Sequence, residues 1–305
     1  MAHDQKRSVI HSVVFAIRAA WHGYFVLYLG LLMLGLAGCG AVSISETPLP
    51  LPTLMPTVPI TPSPPPATLN LPTSEPGDTG WVTTEPGVEL RRLRLMWNER
   101  LALVNMVRLD PAHVQFEVGY APDQPRPLTT WHGRAEAVVT INGGFFDTHN
   151  RSTALIIRSG VASGVSYQGS GGMFAVDRDG RVSLRYLVEE PYDPHEPLLE
   201  ALQSWPMLIK PGGTLVYTSA DDGQRARRSV VAIDREGRVV LLSVASHTFT
   251  LRGLADWLLA SDLDLDAALN LDGGSSTGLY ADSGEEQLRT DAFVLLPITL
   301  MAHRR

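Results

Sequence analysis

The chain has 305 residues, 44% of them hydrophobic, with a formal net charge of −7. It has no long basic run, and the short ones at 91–92 and 225–228 cannot make a phosphate-tracking stripe, which argues against nucleic acid as a partner. One cysteine, Cys39, leaves the rest of the chain without disulfides or thiolate metal sites, so its stability has to come from a hydrophobic core.

The N-terminus reads as an export signal over residues 1–38. Lys6, Arg7 and Arg18 precede an apolar run at 23–37 that ends in Leu36-Ala37-Gly38-Cys39. The cysteine at the cleavage point resembles a bacterial lipoprotein signal, with Cys39 lipidated as the first mature residue. An uncleaved anchor over residues 19–38, just long enough to span a bilayer, is the alternative. Removing residues 1–38 takes away three basic groups and the acid Asp4, moving the formal charge from −7 to −9. Residues 39–84 form a tether, since 12 of the 22 prolines fall between Pro48 and Pro86 among Thr, Ser and Leu. Such a segment favours extended polyproline II, and forty residues of it reach up to roughly 120 Å.

Residues 85–305 are one domain's worth of chain and mostly β. Residues 100–110 and 113–120 alternate or are rich in strand formers. "AVDRDGRVSL" from Ala175 and "AIDREGRVVL" from Ala232 are near copies with a hairpin pattern. In "TLRGLADWLLASD", Leu251, Leu254, Ala255, Leu258 and Leu259 share one helical face, with Thr250 as N-cap. "LDAALNLD" then returns as a strand. The expected fold is α+β: a mixed, mainly antiparallel sheet with one or two packed helices in a single domain, with α/β as the alternative.

Two loops concentrate polar groups after apolar strands. In the first, Asp272 is followed by Gly273 and Gly274, which allow close approach of a ligand, then by Ser275, Ser276 and Thr277. Asp272 either serves a site or hydrogen-bonds its own turn. In the second, Asn142-Gly143-Gly144 has the same design. Phe145 and Phe146 read as core or pocket wall, and Asp147 as a second carboxylate or a loop residue. Arg227 and Arg228 open a buried-looking strand, where an arginine can grip a phosphate or simply face water. His247 lies in the expected loop before the helix, with a structural role as the alternative to substrate binding. Residues 274–278 fit a G-x-S-x-G nucleophile elbow, but the only downstream histidine is His303. Asp262, Asp264 and Asp266 lack the glycine and glutamate of a calcium loop. No lysine follows the glycines as a P-loop requires.

With those pieces in place, the chain resembles the phosphodiester glycosidase family. The resemblance rests on Ile141-Asn142-Gly143-Gly144-Phe145-Phe146, the Arg228-Ser229 step, the helix after Thr250, and Asn270-Leu271-Asp272-Gly273-Gly274-Ser275-Ser276. It spans about residues 85–297. Ser275 stands where family members often have a third glycine, and Arg228-Ser229-Val230-Val231-Ala232 departs from a common Arg-Thr-Ala-Ile-Gly. The resemblance implies cleavage of a sugar-1-phosphodiester at the anomeric carbon. Asp272 would then be nucleophile or general base, with Arg228 and the amides of Gly143, Gly144, Gly273 and Gly274 on the phosphate. Asn142 and Ser276 would orient substrate oxygens. No cofactor is required; a divalent cation near Asp272 and Asp147 is left open, with no legible ligand set. The expected partners are a sugar-phosphate or polysaccharide substrate and, through Cys39, a lipid anchor on the outer side of the cytoplasmic membrane or cell envelope. Some bacterial relatives are associated with exopolysaccharide biosynthesis. An envelope module binding anionic glycans without turnover, and a serine hydrolase using Ser276, are the competing readings.

Overall fold

Alternating apolar and polar residues give strands along most of the chain in the computed structural model, which describes residues 77–305 apart from 168, 284 and 285. The expected signal, Cys39 and the tether up to residue 76 lie outside the described residues. In chain order the first elements are β1 (Gly77–Asp78), β2 (Val82–Glu85), β3 (Val88–Trp97), β4 (Arg100–Leu109), β5 (Val114–Tyr120) and helix α1 (Leu128–Ala135). There follow β6 (Val139–Asn142), β7 (Ile156–Arg158), β8 (Val161–Ser163), β9 (Gly172–Asp177), β10 (Val182–Tyr186), β11 (Leu198–Ser204), β12 (Met207–Lys210) and β13 (Thr214–Leu215). The last part holds β14 (Ala226–Asp234), β15 (Val239–Phe249), α2 (Leu251–Ala260), β16 (Leu265–Asn270), a 3₁₀ turn (Gly274–Ser276), β17 (Leu279–Ser283), β18 (Glu286–Thr290) and β19 (Ile298–Arg304).

The two near copies fold as the hairpins β9–β10 and β14–β15, and the reason is one turn used twice. Asp177 Oδ1 accepts the N–H groups of Asp179 and Arg181, while Gly180 adopts a left-handed φ of 79°. Asp234 Oδ1 likewise accepts from Glu236 and Arg238, with Gly237 at 80°. The β3–β4 hairpin instead closes on two left-handed residues, Asn98 and Glu99, a two-residue turn whose twist suits the strands it joins.

These hairpins assemble into three sheets. Nine strands form the largest, in the order β1-β3-β4-β15-β14-β16-β12-β13 with β2 added on β3. The other two run β10-β9-β11-β7-β8 and β18-β17-β6-β19-β5. Every pairing among the described strands is antiparallel. The domain is therefore α+β with two helices, and the α/β alternative falls for want of a parallel pair. The inner faces of all three sheets share one core, including Leu109, Val118, Ile141, Phe174, Leu202, Val231, Leu269 and Leu300.

Each helix covers an outer face. Thr250 caps α2 by accepting from Gly253 N–H at 3.0 Å, and Leu254, Ala255 and Leu258 pack on the outer face of the large sheet. Leu128 and Trp131 of α1 cover the third sheet, and Trp131 Nε1 donates to Leu296 O. Residues 77–84, placed in the tether by composition, hold β1 and most of β2, which pair with β3, so strand pairing begins upstream of 85. Arg91 fastens this edge: its buried guanidinium bonds both Asp78 and Asp262, and the Asp78 hydrogen bond raises its pKa. No helix among the described residues is long and apolar enough to cross a membrane.

Candidate active site

The two glycine loops leave the ends of β6 and β16 and lie against each other. Asp272 N–H donates to Gly143 O at 3.1 Å, and Asn142 Nδ2 donates to Asp272 O at 2.7 Å. Asn142 also draws in two further elements, because its Oδ1 accepts from Ser229 Oγ at 2.6 Å and Gly278 N–H at 3.0 Å. At 1% exposure, with its amide spent on protein groups, Asn142 is a clamp rather than a substrate contact. That differs from the orienting role expected of it. The residue type was legible, but its direction was not.

Two of the four glycine amides expected on the phosphate are engaged elsewhere. Gly143 N–H donates to Ile298 O, and Gly273 N–H donates to Asp272 Oδ1, so neither amide is left to receive a phosphate. Their common property is space. A Cβ at Gly143 would collide with the Ile298 side chain, one at Gly144 would lie 2.6 Å from Gln203 O, and one at Gly273 would lie 2.9 Å from Arg227 O. Only glycine fits at these three positions, so each loop packs closely on the strands around it: Ile298 of β19, Gln203 of β11 and Arg227 of β14.

Asp272 is half-buried. Burial pushes its carboxyl above the ordinary range, while hydrogen bonds from the Ser276 hydroxyl and Gly273 N–H pull the other way. Among the described residues no cation pairs with it. Arg228, whose Cδ lies 4.0 Å from where a Gly273 Cβ would be, flanks the same turn. Its guanidinium touches only carbonyls, Gln224 O at 3.0 Å and Phe249 O at 3.4 Å, and burial lowers its pKa. Among the described residues neither Arg228 nor Asp272 has a salt-bridge partner, although the Asp222 carboxylate lies near enough to Arg228 to favour its charged form.

Sequence reasoning missed an aromatic flank. Asn270, two residues before Asp272 and buried, donates from Nδ2 to Trp205 O at 2.9 Å, and its Oδ1 has no partner. The partly exposed rings of Trp205 and Tyr217 meet edge to face at 6.4 Å. Such rings suit the apolar faces of a sugar. Nothing in the surrounding residues marked them out from core aromatics.

The remaining candidates sort as follows. Asp147 is exposed and caps its own turn: Oδ1 accepts from His149 and Arg151, with Asn150 at a φ of 62°. This is the hairpin turn of Asp177 and Asp234 a third time, and the Arg151 and His149 N–H groups hold the carboxyl low. Phe145 is half-buried, and Phe146 packs on the shared core. His247 lies exposed within β15 rather than in a loop. Ser275 is exposed, and Gly274 adopts a φ of 60°. Ser276 is buried with its hydroxyl on Asp272, whereas His303 sits 3.2 Å from Glu117, so no serine–histidine pair forms. Among the described residues, no three His, Cys, Asp or Glu side chains gather to hold a metal ion.

The chain is similar to known proteins over the part that holds these loops. A family model described as phosphodiester glycosidase matches residues 135–294, just over half of the chain and the part holding both loops. The fold is similar to the zebrafish N-acetylglucosamine-1-phosphodiester alpha-N-acetylglucosaminidase catalytic domain auto-inhibited by pro-peptide. The TM-score is 0.59 at 19% identity, over 76% of this chain and 88% of that one. A hypothetical protein from Synechocystis gives a TM-score of 0.51 at 16% identity, over 74% of this chain and 63% of that one. These identities speak to fold alone. No curated protein matches the chain.

Proposed function

This chain belongs to the phosphodiester glycosidase family, and on that premise we propose that it hydrolyses a sugar-1-phosphodiester at the anomeric carbon. The observation that supports the reading is Asp272, an acid with no salt-bridge partner among the described residues, on a turn that Arg228 flanks and where the two glycine loops hydrogen-bond each other.

In this reaction the bond from C1 to the bridging oxygen breaks, and its electrons leave on a phosphate monoester. Phosphate is a good leaving group that needs charge neutralised more than it needs a proton, so Arg228 takes the place of the second carboxylate most glycosidases use. Asp272 acts on the anomeric centre, either attacking C1 or taking the proton of the attacking water. A carboxyl raised by burial suits a base, since proton transfer is most effective when the catalytic pKa approaches the working pH. Ser276 positions the carboxylate by its hydroxyl, and Asn142 and the close-packed glycines position the loop. Trp205 and Tyr217 supply a wall for the sugar, with Asn270 Oδ1 as an acceptor beside it.

Free sugar released from an α-N-acetylglucosamine-1-phosphate methyl ester, or from its glucose counterpart, is the expected result with the full chain. Saturable binding of those esters with no sugar after prolonged incubation would replace the hydrolase with a glycan-binding module. Only one acting carboxylate is visible, and that specific feature keeps the module as the second reading.

We further propose that residues 1–38 are an export signal and that the activity is held outside the cytoplasmic membrane by a lipid on Cys39. Labelled palmitate is expected in the wild-type chain and not in Cys39→Ala. Equal labelling of the two would remove the anchor from the proposal.

A further inference from the structure

Arg227, next to the arginine already described, is in an unusual state. It is 3% exposed, yet among the described residues only Nη2 has a hydrogen-bond partner, Asp291 O at 2.6 Å. Nε and Nη1 are buried with none. The Asp291 carboxylate is itself bonded to Arg289 at 2.7 Å. The Asp291 carboxylate favours the charge of Arg227 through space but makes no hydrogen bond to it, and a buried guanidinium with two unmet N–H groups is costly unless an anion completes it.

What covers Arg227 is equally unusual. The Phe293 ring lies over its guanidinium at 4.1 Å while remaining 71% exposed. Val294 and Leu295 follow at 38% and 51%, giving three consecutive exposed apolar side chains. Other exposed large apolar residues, such as Met96, Val161 and Leu259, stand singly, which is ordinary for a surface. A run of three is not, outside a functional surface. The loop is also tied to the acid's turn. Phe293 N–H donates to Ser275 O at 2.7 Å, and the Arg227 carbonyl abuts Gly273.

Resting on the reading above, we propose that Arg227 and the Phe293-Val294-Leu295 loop form the subsite for the alcohol side of the phosphodiester, and that this alcohol is apolar, a long alkyl or aryl group. An apolar patch alone would take many partners. A buried, unsatisfied cation beneath it selects a molecule carrying a negative head and an apolar tail together. Turning the exposed Phe293 ring aside would open the guanidinium to the phosphate, and the tail would then run over Val294 and Leu295.

The test is binding of monomeric octyl phosphate, methyl phosphate and octyl glucoside to the full chain by calorimetry. Octyl phosphate is expected to bind at least about tenfold more tightly than methyl phosphate. In the double variant Phe293→Ser, Leu295→Ser that preference disappears, and in Arg227→Lys octyl phosphate binds about tenfold more weakly. Equal affinity for the two phosphates overturns the proposal, and so does octyl glucoside binding as tightly as octyl phosphate. Because nothing here needs turnover, the two readings separate. A chain that releases sugar but shows no octyl preference keeps the reaction and loses the subsite. One with the preference but no sugar release keeps the subsite and loses the reaction.

Discussion

Replacing Asp272 with asparagine is expected to cut kcat/KM for sugar release on the order of 10³-fold while leaving the protein folded. Asparagine keeps an oxygen for the Gly273 N–H and the Ser276 hydroxyl, so the turn retains its contacts. It cannot attack C1 or accept a proton. Stability moves the opposite way from activity. The folded-state pKa of Asp272 is raised by burial, so whatever the carboxyl contributes is present below its unfolded pKa and lost as pH rises through the folded one. At neutral pH the ionised form is a net cost, and the variant should melt at the same temperature as wild type or higher. That difference should fade as pH falls below the ordinary carboxylate range. The acid limb of the kcat/KM profile in the wild type should lie above that range, because the ionised form acts. Ser276→Ala removes a hydrogen bond that favours ionisation, so its limb should shift to still higher pH. An unshifted limb would make Ser276 merely structural, and an active Asp272→Asn would end the role given to Asp272.

Much of this was readable in advance wherever local chemistry decides the outcome. The α2 helix followed from apolar spacing and the Thr250 cap, and the β9–β10 and β14–β15 hairpins from Asp-x-x-Gly-Arg turns. The same turn at Asp147 escaped notice because Asn150 occupies the left-handed position that glycine fills in the other two. Helix α1, "LTTWHGRA", was invisible because its residues are mediocre helix formers, and burying Leu128 and Trp131 holds it in place. Strands β1 and β2 lay hidden among prolines.

The site divides along the same line. Juxtaposition of the two loops was an inference from composition and resemblance, and the backbone delivers it through Gly143 and Asp272. What each atom does there depends on partners far away in sequence. Gly143 N–H faces Ile298, Asn142 faces Ser229 and Gly278, and Trp205 reaches Asn270 across sheet pairings that no local pattern reports. Arg227 and Arg228 are alike as letters. The β14–β15 pairing is irregular between Ala226 and Arg228, and the two side chains find different partners there, one beneath Phe293 and the other beside Phe249 O.

Asn142 carries the largest expected stability effect. Asn142→Ala would strand the Ser229 hydroxyl, Gly278 N–H and Asp272 carbonyl in the interior, each costing about 1–3 kcal/mol when unpaired. Some relaxation is expected, so a loss of about 3–5 kcal/mol in chemical denaturation is the predicted result. Asn142→Asp tests the direction of the clamp. The replaced nitrogen now donates to Asp272 O and Gly143 O, so an ionised carboxylate there would face two carbonyl oxygens. A protonated one could donate to Asp272 O instead. The folded state thus holds the new carboxyl neutral and raises its pKa above the unfolded value. Its stability should be near wild type below the ordinary carboxylate pKa of about 4 and fall as pH rises through the folded pKa. Asn142→Ala should show no such recovery in acid. If instead Asn142→Ala stays within about 1 kcal/mol of wild type, the loops are held together by the Asp272 N–H to Gly143 O hydrogen bond and not by this amide.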